Sequence, residues 1–222
     1  MKIVIAGAGR GGLNLAIHLQ KTGHSVTILE RDIATSSRAV EQYGIVALAG
    51  DATDAAILMQ ADVARADVVT AMLHRDADNL AVAMLARAQG ASRVMVRMRD
   101  PEYRPVYEAA GVSQILSETE VLVGALATAI EFDAVRHSMV LGSGEAIAVE
   151  ILIPEHAWVV GRPVSEVATN ASFPPSCVIA GMALEGAVQA PRGATIIEGR
   201  ATLLVVSARS DLRATVDFFL KR

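Results

Sequence analysis

The sequence contains one cysteine, Cys177, so a single chain can form neither an internal disulfide nor a cysteine-built metal cage, as expected in a reducing compartment. Apolar runs such as 121–130 and 201–208 fall far short of the ~20 residues that cross a bilayer, which argues against direct membrane insertion. Met1-Lys2 leads straight into Ile3-Val4-Ile5-Ala6-Gly7, without an apolar signal region and cleavage site, so a cytoplasmic location is expected. Excess charge is also missing: Lys+Arg 20 against Asp+Glu 24 gives −4, with no basic patch or like-charged tail, and a nucleic-acid partner is not expected. The histidines (His18, His24, His74, His137, His156) are scattered, and neither H-x-x-x-H nor C-x-x-C spacing occurs. Aromatic residues make up only 4%.

What is present is aliphatic. Hydrophobic residues reach 52% and mean hydropathy +0.39, drawn mostly from Ala, Val, Leu and Ile. That mix suits strands covered on both faces. The 222 residues correspond to one large domain, or to one ordinary domain with a smaller companion.

Short apolar runs alternate with helical patterns over residues 1–137. Strands are predicted at 2–6, 25–29, 46–49, 68–72, 93–97 and 114–116, and Leu13, Ala16 and Ile17 show the helical spacing between them. Such alternation predicts βαβ units and an α/β fold, a Rossmann-type doubly wound parallel sheet. A long helix is predicted over 121–137. Residues 138–145, with Gly142, Ser143 and Gly144, read as a linker. From residue 146 to 222 a small α+β lobe is expected, with strands at 148–153, 178–182, 195–197 and 203–207 and a closing helix at 212–220. A lobe of this size sits near the lower limit for an independent core and is expected to gain stability by pairing with a second copy.

The strongest motif is Gly7-Ala8-Gly9-Arg10-Gly11-Gly12, a G-x-G-x-x-G pattern between the first predicted strand and helix. Gly7 permits a tight turn, Gly9 lets backbone approach a pyrophosphate, and Gly12 lets the helix pack on the strand, while the helix N-terminus offers N–H groups to phosphate. Glu30 ends the second strand, 23 residues after Gly7, where a carboxylate can accept from ribose hydroxyls and disfavour a 2′-phosphate. A glycine-rich turn without a ligand is the competing reading. Arg31 is either a solvated side chain or a guanidinium that stacks on adenine or tolerates that phosphate. Asp51, Ala52 and Thr53 follow the third strand at the edge where doubly wound sheets bind ligands, and Asp51 or Thr53 also suits a helix cap. Leu73, His74 and Asn79 lie beyond the fourth strand. His74 reads as a loop histidine bordering the adenine pocket, or simply exposed, rather than as a catalytic acid or base.

The chain resembles the RCK (KTN) family of Trk/Ktr-type potassium transport regulatory subunits over essentially its whole length. The similarity rests on Ile3 to Arg10, Gly50-Asp51-Ala52-Thr53, Asp78-Asn79-Leu80 and Arg97 to Tyr103, and more weakly on Gly161-Arg162-Pro163-Val164. It implies an RCK C-terminal lobe and a cytosolic homo-oligomer, from a dimer to an octameric ring. It further implies binding of NAD(H) or ATP/ADP, and a potassium-conducting membrane partner at the inner face of the cell membrane. By the same resemblance Arg10 reaches terminal phosphates, Arg97 approaches the ligand, and Glu118 contributes to an intersubunit divalent-cation site. Two positions depart from the family pattern: Glu30 replaces the usual Asp, and Ser117 the proline that commonly precedes the cation-site glutamate. The latter leaves open a plain helix-start carboxylate at Glu118. No acid–base set accompanies the glycine loop, so an enzyme is not expected; a small NAD-dependent oxidoreductase and a dimerisation module with a structural nucleotide are the alternatives.

Overall fold

The computed structural model describes residues 1–142 and 144–221; Ser143, inside the expected linker, and Arg222 lie outside the described residues. The chain forms two compact units, 1–119 and 120–222.

In the first unit strands and helices alternate in chain order: β1 (Lys2–Ala6), α1 (Arg10–Lys21), β2 (Ser25–Glu30), α2 (Ile33–Tyr43), β3 (Val46–Ala49), α3 (Ala55–Gln60), β4 (Val68–Ala71), α4 (Asp76–Ala88), β5 (Val94–Met98), α5 (Arg104–Ala109) and β6 (Gln114–Ser117). The strands pair in parallel in the order β3-β2-β1-β4-β5-β6. Successive side chains of β1 enter different cores, Ile3 and Ile5 one and Val4 and Ala6 the other, because a strand alternates its side chains between faces. Two-sided burial accounts for the aliphatic composition. The strand order reverses between β1 and β4, and ligands of doubly wound sheets bind at such a switch, outside the carboxyl ends of the strands.

Helix α6 (Glu118–Glu131) begins at the last residues of the first unit. It ends six residues before the predicted end at 137. Then follow β7 (Val135–Leu141), β8 (Ala146–Leu152), α7 (Val164–Ala168), β9 (Val178–Leu184), β10 (Ala187–Gln189), β11 (Thr202–Ala208) and α8 (Leu212–Leu220). The strands make an antiparallel sheet in the order β10-β9-β11-β8-β7. Residues 138–141, expected in a linker, complete β7, which pairs with β8. Gly142 and Gly144 sit at φ 61° and 116° between these strands, so the glycines serve a hairpin connection and the linker reading is corrected. Residues 195–197, expected as a strand, contribute only an isolated bridge from Ile196 to Pro163.

All four phenylalanines and the only tryptophan belong to the second unit. Phe218 stands edge-on to Trp158, Phe173 and Phe219 at centroid separations of 5.0, 5.3 and 5.3 Å. Edge-to-face pairs add to area burial in the core of this unit.

Candidate nucleotide-binding site

The glycine loop joins β1 to α1 at the reversal of strand order. Gly7 has φ 106° and its N–H donates to Leu29 O at 2.8 Å, turning the chain sharply off β1. A β-carbon on Gly12 would stand 2.0 Å from Gly7 O, so α1 approaches the strand as closely as it does only because Gly12 has no side chain. Gly9 has open space on that side and caps α1 without any side-chain acceptor, leaving the N–H groups of the first turn without a side-chain cap. Gly9, Arg10 and Gly11 are exposed, whereas Ala8 is buried. The donors and the empty approach suit a phosphate group.

Glu30 closes the loop from the neighbouring strand. Its Oε2 accepts from Ala8 N at 2.8 Å and its Oε1 from Asp32 N at 3.0 Å. Each carboxylate oxygen keeps a further lone pair with which to accept from a ribose hydroxyl. Arg31 is exposed beside this edge and close enough to Asp51 to favour its ionised form. The larger causes holding the Asp51 carboxyl below its usual range are the Thr53 N–H and then the Thr53 hydroxyl, at 2.9 and 2.7 Å from Oδ1. Ala52 is buried between them in sequence. The cap of α3 is Asp54, which accepts from Ala56 N at 2.8 Å; the expectation that Asp51 or Thr53 caps this helix is corrected.

On the other side of the switch, the segment after β4 is locked by Asn79, which is fully buried. Asn79 accepts from Leu73 N at 2.7 Å and donates to Leu73 O at 3.1 Å and Arg97 O at 3.0 Å. Arg97 Nη2 also donates to Leu73 O, at 2.8 Å, and Arg97 Nη1 lies 3.4 Å from Glu118 Oε2. His74 is exposed, and Arg99 Nη1 is 3.2 Å from its ring nitrogens. Buried Asp76 accepts from Arg99 N, Asp100 N and the Tyr107 hydroxyl. Burial first, and the bond to Asp76 second, push the Tyr107 phenol well above its usual range.

The fold therefore gathers Gly7 to Gly12, Glu30, Leu73, His74 and Arg97 at the carboxyl edge of β1, β2, β4 and β5, with Arg31 and Asp51 to Thr53 flanking β2 and β3. Asp76, Arg99 and Tyr107 were not singled out from the sequence as members of this edge. Asp76-Ala77-Asp78 reads as a solvated helix start, and the partners that hold Asp76 in its buried position, Arg99, Asp100 and Tyr107, are distant in sequence.

Residues 3–118 match the TrkA-N domain family and residues 148–220 the TrkA-C domain family. The chain belongs to the TrkA-N family. This TrkA-N chain is 30% identical over 223 residues to a Trk system potassium uptake protein TrkA homolog of Archaeoglobus fulgidus, an alignment that takes in 99% of the chain and 50% of the relative. A homolog of the same name from Methanothermobacter thermautotrophicus is 28% identical over 211 residues, 95% of each protein. The chain thus spans half the length of the first relative and nearly all of the second. Among solved structures, the GsuK Channel has a TM-score of 0.72 at 19% identity, and the GsuK channel bound to NAD 0.70 at 18%; each comparison covers 100% of this chain and 39% of the other. The expected family and the expected fold, a parallel Rossmann-type sheet followed by a small lobe, are borne out. These relatives are named for potassium uptake and for a channel. Among the described residues, no helix is long and apolar enough to cross a membrane.

Proposed function

We propose that the chain is a nucleotide-binding regulatory subunit of a potassium uptake system or channel. In this reading it works from the cytoplasmic face and sets the state of a membrane partner according to bound NAD(H) or ATP/ADP. The observation that carries it is the loop at the strand-order reversal: Gly12 stacked on Gly7, an open approach at Gly9, and Glu30 holding Ala8 from the next strand. The fold shared with a channel bound to NAD, and relatives named for potassium uptake, support the assignment.

The residues divide the work. Helix α1 meets phosphate with its free N–H groups and the positive end of its dipole. Glu30 accepts from the ribose hydroxyls and repels a 2′-phosphate. Leu73 and His74 border the base, and Arg31, Asp51, Ala52 and Thr53 form the far rim. Arg10 is exposed and its side chain makes no hydrogen bond or ion pair with other described residues, so its guanidinium is available to a terminal phosphate. Ligands that differ at this phosphate therefore bind two arrangements of the assembly unequally, and such differential affinity is the condition for shifting a conformational equilibrium.

Self-association, from a dimer up to an octameric ring, is part of the reading. On α6, Leu122, Val123, Leu126 and Ile130 are all more than half exposed and share one side of the helix, the kind of apolar stripe that marks an interface. A divalent cation at Glu118 fits this chain poorly. The carboxylate already faces two guanidinium groups.

The test is small-angle scattering of the oligomer, together with potassium flux through the reconstituted partner, in ATP, ADP, NAD and NADH. The reading expects at least two of these to give different assembly shapes and fluxes. Identical responses to all four defeat the switching mechanism.

A further inference from the structure

The start of α6 carries a carboxylate set between two anchored cations. Glu118 Oε2 lies 3.4 Å from Arg97 Nη1 and 3.8 Å from Arg99 Nε. Each arginine is fixed by contacts that do not involve Glu118. Arg97 donates through Nη2 to Leu73 O, whose own segment is locked by buried Asn79. Arg99 is tied through its N–H to Asp76, its carbonyl oxygen to the Thr119 hydroxyl at 2.8 Å, and its side-chain Nη1 to His74 O at 3.3 Å. The ordering cost of these side chains is therefore met largely by other bonds, and little more is lost when the carboxylate joins them.

This arrangement bears on the cation that the family resemblance leads one to expect. Two positive charges within 4 Å of Glu118 Oε2 supply the counter-charge that a dication would bring, and they repel a dication approaching the same oxygen. We propose that Glu118 in this chain is an arginine-clamped carboxylate in place of a divalent-cation ligand. Arg97 and Arg99, with the Thr119 hydroxyl, then hold the first turn of α6 to the end of β5. The inference stands apart from the nucleotide reading, because none of its contacts requires a bound ligand.

The test uses the full chain without nucleotide. Hydrogen–deuterium exchange is followed in the peptide covering the end of β6 and the start of α6, in EDTA, in magnesium chloride and in calcium chloride. The clamp predicts the same protection in all three for the unsubstituted protein. It also predicts faster exchange in Arg97→Gln and in Glu118→Gln, with a combined effect in the double variant smaller than the sum of the two, because the substitutions share one interaction. Protection that appears only with magnesium or calcium and vanishes in Glu118→Gln overturns the proposal, as do additive effects of the two substitutions. Arg97 also secures Leu73, so the comparison of unsubstituted protein with Glu118→Gln across the three salts is decisive even if Arg97→Gln unfolds.

Discussion

The carbonyl oxygen of Gly7 lies 2.0 Å from the point where a β-carbon on Gly12 would sit, whereas nothing lies within 4 Å of the corresponding point on Gly9. The two glycines do different jobs, one in packing and one in ligand approach, and substitution separates them. Gly12→Ala should destabilise the first unit by about 1–3 kcal/mol, since backbone rather than a flexible side chain must give way. Gly9→Ala should leave the melting temperature almost unchanged, because φ −58° suits alanine, yet abolish nucleotide binding by placing a methyl in the phosphate approach. Melting curves and binding isotherms of the two variants check this. Equal loss of stability in both would contradict the division of roles.

Glu30 links loop rigidity to cofactor choice. Glu30→Ala leaves the buried Ala8 N–H without its acceptor, a loss of about 1–3 kcal/mol. The same change removes the carboxylate that repels a 2′-phosphate, so preference for NADH over NADPH should narrow. Competition binding with the two dinucleotides measures the ratio; an unchanged ratio would show that Glu30 is not the discriminator.

Asn79 is the pin between β4 and β5. Asn79→Leu removes the acceptor for Leu73 N and the donors to Leu73 O and Arg97 O in one step. The expected cost is about 1–3 kcal/mol for each polar group left buried and unpaired, enough to lower the melting temperature of the first unit substantially. Unchanged amide exchange at Leu73 in this variant would refute the role.

Cys177 gives a pH dependence of known sign. Burial pushes its thiol up to about 12 from a reference of 9.0. The native state therefore holds this proton where the unfolded chain releases it, and this contribution to stability is complete below about pH 9 and lost as pH rises towards 12. Cys177→Ala should flatten the alkaline limb of a stability–pH profile, and native protein near neutral pH should react with thiol reagents only as fast as it opens. Rapid stoichiometric labelling of the folded chain would contradict the burial argument.

Much of the first unit could be read from the sequence because its signals are local. The strands of the parallel sheet are largely apolar runs, and the glycine loop, Glu30 and Asp51-Ala52-Thr53 each lie at or just beyond the end of one of them. Strand β7 was obscured because it is an edge strand with only Val135 buried, so no alternation marks it, and Gly142 and Gly144 after it look like a linker. The Asp76 network was hidden for another reason: its partners Arg99, Asp100 and Tyr107 lie 23, 24 and 31 residues away, and nothing local to Asp76 announces them.

In the proposed reading the glycine loop and Glu30, at the carboxyl ends of β1 and β2, bind an NAD- or adenine-type nucleotide. The most direct test of this binding is a thermal-shift titration of the full chain with NAD, NADH, NADPH, ATP and ADP, alongside Gly9→Ala as the control. Ligand that binds only the folded state raises stability as RT ln(1 + [L]/Kd). A concentration-dependent rise is expected with at least one of NAD, NADH, ATP or ADP, little with NADPH, and none in Gly9→Ala. A protein that no nucleotide stabilises, or that prefers NADPH, would contradict this reading.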